Sequence, residues 1–150
     1  MRNILFLCTG NSARSIMAEA YMNEASGGTW RAWSAGSKPA GRPNPFAIKT
    51  LRTHKIPLPG GDHPLRSKSW DEFAAPDAPC MDVVVTVCDN AAGETCPVWP
   101  QKSGAAPRKL HWRLPDPAAV SGSDGEKHAA FEAVFADIRK RIDAFIAADA

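Results

Sequence analysis

Apolar residues in this chain gather in four short runs. Ile4 to Leu7, Trp30 to Ala35, Asp82 to Cys88 and Lys109 to Leu114 each read as a strand. The third, Asp82-Val83-Val84-Val85-Thr86-Val87-Cys88, is an unbroken β-branched stretch of the kind that a parallel sheet buries on both faces. Between the runs the period changes. Ile16, Met17, Ala20 and Tyr21 keep helical spacing to about Ala25, where Gly27-Gly28 breaks it. Pro45 to Leu51 predicts a second helix with proline in its first turn and Asn44 as its cap. A proline- and glycine-rich surface connection, Pro57 to Ser69, leads to a short helix near Trp70 to Ala74. A capping box, Ser123 with Glu126, opens the last helix, and Phe131, Val134, Phe135, Ile138, Ile142, Phe145 and Ile146 form its apolar stripe. Strands alternating with helices imply an α/β fold: a three-layer, doubly wound parallel sheet of four strands.

The 150 residues read as one domain, 1–150, long enough for a substantial core. Eighteen basic against sixteen acidic residues leave a net charge of +2, which calls for neither nucleic acid nor an anionic membrane. No apolar run approaches the ~20 residues of a membrane span, and Ile4 to Leu7 is too short for a signal-peptide core. The expectation is a cytoplasmic monomer with a small partner. The four cysteines, 8, 80, 88 and 96, then point to redox chemistry or metal rather than a disulfide framework. Their spacings suit zinc poorly, so no metal is expected. Cys80 reads as an ordinary buried cysteine, and the histidines read as structural or surface residues.

The first strand runs into Cys8-Thr9-Gly10-Asn11-Ser12-Ala13-Arg14-Ser15 and then a helix. Gly10 and Asn11 tolerate the positive φ that turns successive amides inward, so the loop reads as an anion cradle at a helix N-terminus. Cys8 at its rim would be a thiolate, since such surroundings take a thiol pKa from about 8.5 to roughly 3.5–7.5. Arg14 would clamp two oxygens of a tetrahedral oxyanion, with Thr9, Gly10, Asn11, Ser12, Ala13 and Ser15 supplying the rest of the cradle. The Ser15 hydroxyl would donate to the sulfur.

This loop, with Ser34-Ala35-Gly36, Val83 to Cys88, Cys96-Pro97 and Asp116-Pro117, resembles the low-molecular-weight protein tyrosine phosphatase superfamily, and within it most closely the arsenate reductases. The resemblance implies strand order 2-1-3-4, a loop locked by Asn11 and backed by Ser34, no bound cofactor, and Asp116 as general acid. In that order Cys8 and Cys88 end neighbouring strands about 4.8 Å apart, within the roughly 4.4–6.8 Å that a disulfide requires of its Cα atoms.

The resemblance further implies reduction of arsenate, with phosphate or sulfate as competing oxyanions, for arsenic detoxification. Cys8 attacks arsenic, Cys88 attacks the Cys8 sulfur so that arsenite leaves, and Cys96 carries the oxidising equivalents to a Cys88–Cys96 disulfide. Thioredoxin then restores the dithiol, with glutathione and glutaredoxin as the other thiol system. A tyrosine phosphatase using Cys8 and Asp116 is the second reading. Against it, Ala118-Ala119-Val120 follow the Asp-Pro pair where phosphatases of this superfamily carry tyrosines, and Tyr21 is the only tyrosine. A third reading is a non-catalytic oxyanion-binding or sensor domain.

Overall fold

The computed structural model describes residues 2–58, 65–75, 77–87 and 107–149. In order these form β1 (Arg2–Cys8), α1 (Arg14–Ala25), β2 (Trp30–Gly36), α2 (Pro45–Thr53), a 3-10 turn (Trp70–Phe73), β3 (Val83–Thr86), β4 (Arg108–His111), a second 3-10 turn (Pro117–Ala119) and α3 (Asp124–Asp149). The four strands are parallel in the order β2-β1-β3-β4, as the resemblance implied.

Strand β1 is central because its residues tolerate total exclusion from water: Ile4, Leu5, Phe6 and Leu7 have no exposure at all. Both faces of the sheet are covered. On β2, Trp30 meets Phe145 of α3, while Trp33, on the opposite face, meets Phe73 of the first 3-10 turn. The α3 stripe is buried as its spacing required, with Phe131, Phe135, Ile138 and Ile142 at or below 1% exposure. Helix starts follow the expected chemistry. The Asn44 side chain accepts from Phe46 N at 2.8 Å and Ser123 Oγ accepts from Glu126 N at 3.2 Å, caps worth about 1 kcal/mol each. Gly27 and Gly28 take positive φ after α1.

Two strands are shorter than the apolar runs suggested. β3 covers Val83–Thr86, and Cys88 lies outside the described residues, as do Cys96 and His63. β4 covers Arg108–His111 rather than Lys109 to Leu114. It is the edge strand, with Arg108, Lys109 and His111 exposed, so its apolar content was a poor guide to its limits. Beyond it Trp112 N and Leu114 N still reach β3, at Thr86 O (2.8 Å) and Val87 O (3.3 Å), until Pro115 offers no donor. Asp116 therefore does not end a strand; it caps the Pro117–Ala119 turn, accepting from Ala118 N. Cys80 is half-buried rather than buried, because it lies at the opposite rim of the sheet from Cys8, its carbonyl accepting from Asn3 at the start of β1.

Candidate functional site

The sheet delivers Cys8 at the carboxyl end of β1, in register with Gly36 at the end of β2. This is the edge where doubly wound sheets bind ligands. The chain then loops to Arg14, the first residue of α1.

Neighbouring backbone dictates the loop's shape. The carbonyls of Thr9, Gly10 and Ser12 are turned outward to accept from Lys38 N (2.9 Å), Ala40 N (2.8 Å) and Asn44 N (2.7 Å). In a trans peptide the following N–H points the other way, so the amides of Gly10, Asn11 and Ala13 face the hollow. The Asn11 N–H reaches Cys8 Sγ at 3.1 Å, and Asn11 itself holds φ +45°. Ala13 supplies no side-chain cap to α1, and no acidic residue stands in its first turn. The helix N-terminus is left to whatever anion enters.

Side chains complete the arrangement. Cys8 is 3% exposed, and Ser15 Oγ lies 2.9 Å from its sulfur. Asn11 Nδ2 donates to Ser15 Oγ at 2.8 Å, which frees the Ser15 proton for the sulfur. Two donors thus converge on Cys8 Sγ and stabilise its anion. Asn11 Oδ1 accepts from Lys68 N at 2.9 Å, so one buried amide bridges the loop, α1 and the 67–68 segment. Arg14, 13% exposed, donates to the Leu114 carbonyl at 2.9 Å and lies 3.8 Å from the Asp116 carboxylate. Residues a hundred positions apart therefore meet at one edge.

Gly36, Ser67, Lys68 and Glu19 belong to this site although sequence reasoning gave them no such part. A Cβ on Gly36 would stand 2.5 Å from Thr9 O, 2.9 Å from Cys8 O and 3.0 Å from Asn11 Cβ. Only glycine admits the loop. Ser67 Oγ donates to Gly10 O at 3.1 Å. Glu19 sits in the fully buried stretch of α1, where a carboxylate needs a partner; that was the available signal. Its partner is Lys68 Nζ at 3.6 Å, and both side chains are under 10% exposed. Ser34 Oγ donates to Glu19 Oε1 at 2.5 Å and accepts from Lys68 Nζ at 3.5 Å. Burial pushes the Glu19 carboxyl up and the Lys68 ammonium down, while each charge opposes the other's shift. Removing one member of such a pair costs about 3–5 kcal/mol.

A cysteine, five residues, Arg-Ser, and outward carbonyls around an uncapped helix define an oxyanion loop, and the family model for low molecular weight phosphotyrosine protein phosphatase matches residues 3–149. The chain belongs to that family. Relatives within it are arsenate reductases. The chain is 38% identical over 142 residues to one from Halalkalibacterium halodurans, covering 95% of this chain and 93% of the relative. To one from Bacillus licheniformis it is 36% identical over 145 residues, covering 96% and 94%. A solved structure described as an arsenate reductase in the phosphate binding state superposes with TM-score 0.71 at 27% identity, over 98% of both chains. Among the described residues, no cluster of three or more potential metal ligands occurs and no helix is long and apolar enough to cross a membrane.

Gly36→Ala should push the loop backbone out of place at an overpacking cost of about 1–3 kcal/mol, weakening phosphate binding roughly tenfold or more. Titration calorimetry with inorganic phosphate measures this. An unchanged affinity would remove Gly36 from the support of the cradle.

Proposed function

We propose that this chain reduces arsenate to arsenite as a detoxifying activity, with Cys8 as nucleophile and a relay from Cys8 through Cys88 to Cys96, in which Cys88 and Cys96 are the net two-electron source. The observation that carries the reading is the convergence of the Asn11 N–H and the Ser15 hydroxyl on one buried sulfur inside an oxyanion loop. The thiolate attacks As(V) and a hydroxyl leaves as water, its proton given by Asp116. Arg14 and the inward amides bind the remaining oxygens.

Cys88 then attacks the Cys8 sulfur. The S–As bond breaks, its electron pair stays on arsenic, and arsenite departs from a Cys8–Cys88 disulfide. Cys96 attacks the Cys88 sulfur, restoring the Cys8 thiolate and leaving a Cys88–Cys96 disulfide. A dithiol returns two electrons and two protons by exchange. Thioredoxin suits that last step because Cys88 and Cys96 would offer it a disulfide, whereas glutathione with glutaredoxin would take over at the Cys8 adduct.

The test is turnover. NADPH consumption that requires arsenate, thioredoxin and thioredoxin reductase supports the reading. Hydrolysis of p-nitrophenyl phosphate with no arsenate reduction replaces it with the phosphatase, and phosphate binding without either activity leaves an oxyanion binder.

Asp116→Asn separates the acid from its capping role. Asparagine still accepts from Ala118 N, so the Pro117–Ala119 turn is kept, but it gives up no proton. Single-turnover rates should fall about 10²- to 10⁴-fold with arsenate affinity nearly unchanged. Weakened binding with an unchanged rate would assign Asp116 to binding instead.

A further inference from the structure

Charge is spread unevenly along this chain. From Ala25 to Gly61 there is no aspartate or glutamate, while Arg31, Lys38, Arg42, Lys49, Arg52 and Lys55 all fall within that stretch. It holds six of the eighteen basic residues and none of the sixteen acidic ones, so the net +2 divides into +6 there and −4 in the remainder. Other cations around the loop are compensated: Arg14 faces Asp116 at 3.8 Å, Lys68 faces Glu19 at 3.6 Å, and Arg66 pairs with Glu72. Among the described residues Lys38, Arg42, Lys49 and Arg52 face no carboxylate, and all four are exposed. Like charges gathered without counterions repel one another, so nothing within the fold accounts for them.

Two of the four are fixed beside the cradle. Lys38 N, Ala40 N and Asn44 N donate to the carbonyls of Thr9, Gly10 and Ser12, and Gly41 N donates to Ser67 Oγ at 3.1 Å. Lys38 is therefore one hydrogen bond from the residue after Cys8, and Arg42 lies between two residues that hold the loop. Their backbone is tied to the site while their side chains stay in water. Lys49 and Arg52 continue the same sign of charge along α2. We propose that Lys38 and Arg42, with Lys49 and Arg52 behind them, form an electrostatic funnel that draws tetrahedral oxyanion dianions to the Cys8 loop. The four side chains raise the local anion concentration without touching the bound oxyanion. Selection is by charge, because the same field acts twice as strongly on a dianion as on a monoanion and not at all on a neutral competitor. The inference rests on the loop being an oxyanion site, not on which oxyanion is turned over.

The experiment alkylates Cys8 with iodoacetate, an anion, and with iodoacetamide, its neutral counterpart. Each loses iodide to the Cys8 thiolate, and each rate is followed on the Cys8 peptide by mass spectrometry. The ratio of the two rates is the readout, because a change in thiolate fraction or in access to the sulfur moves both reagents alike, whereas the field acts on the anion alone. Phosphate affinity by calorimetry, near pH 8 where phosphate is a dianion, is the second readout. At about 50 mM ionic strength, Lys38→Glu with Arg42→Glu should lower the ratio at least about threefold and weaken phosphate binding at least about tenfold, since four units of charge at on the order of 10 Å act once on a monoanion and twice on a dianion. Lys38→Gln with Arg42→Gln, half the change in charge, should give about the square root of each effect. In about 0.5 M salt most of both differences should vanish.

Arg108→Glu with Lys109→Glu makes the same change in net charge on β4, at the opposite edge of the sheet from β2, and should move the ratio less than about twofold. An unchanged ratio in Lys38→Glu with Arg42→Glu, an equal fall in the β4 pair, or a loss that persists in high salt overturns the proposal. Cys8 inert to both reagents, with no phosphate binding in the intact chain, would instead be a failure of the oxyanion loop itself, so the two failures read differently.

Discussion

Cys8→Ser leaves a folded chain that still binds phosphate and reduces no arsenate. The substitution keeps a small side chain that accepts from Asn11 N–H and faces Ser15, so the loop's outward carbonyls and the Asn11 bridge persist. What the proposed reaction loses is its thiolate nucleophile. A hydroxyl pKa lies far above that of a thiol, and neither donor at the sulfur is a base that would activate an alcohol. Oxygen also cannot accept the attack of a second sulfur and pass an electron pair to arsenic. Loss of a nucleophile of this kind lowers turnover by about five orders of magnitude or more. Arsenite formation above the uncatalysed rate in Cys8→Ser, with calorimetric phosphate binding intact, would assign the chemistry elsewhere.

Cys88→Ser should produce a different defect of similar size in the steady state. In the proposed mechanism the first attack needs only Cys8, Arg14, the amides and Asp116, all of which are unaltered. The adduct then has no internal thiol to break its S–As bond, and arsenite is not released. With thioredoxin as the sole reductant, turnover should fall by about three orders of magnitude or more, while arsenate binding is kept. Steady turnover under those conditions would show that thioredoxin resolves the adduct directly and that Cys88 has no part in electron flow.

How far the fold could be read from the chain depended on whether one residue's neighbours are local. The buried strands β1 and β3 announced themselves because exclusion from water on both faces demands unbroken apolar runs. The caps Asn44 and Ser123 were legible because a cap bonds two or three residues away. Edge strand β4 was displaced in the reading, since exposure lets Arg108 join it while Trp112 to Leu114, outwardly strand-like, run toward Pro115.

The site divided in the same way. Cys8, Asn11, Arg14 and Ser15 lie within eight residues and carry their chemistry in their spacing. Gly36, Ser67, Lys68 and Glu19 do not, because their meaning arises only when β1, β2, α1 and segment 66–68 are packed together. A glycine at a strand's end has many ordinary uses, and only a 2.5 Å approach to Thr9 O assigns this one. A glutamate between Ala18 and Ala20 in a buried helix did signal an unmet partner, and the partner lay 49 positions along the chain at Lys68.

The most direct measurement is a single turnover of the intact, fully reduced chain under anaerobic conditions with all external thiol removed. Mixed with excess arsenate, it should release about one arsenite per chain, and its four cysteines should fall by the two that are oxidised, with peptide mapping joining Cys88 to Cys96. No arsenite until glutathione or another thiol is supplied, with all four thiols still titratable, would contradict an internal relay.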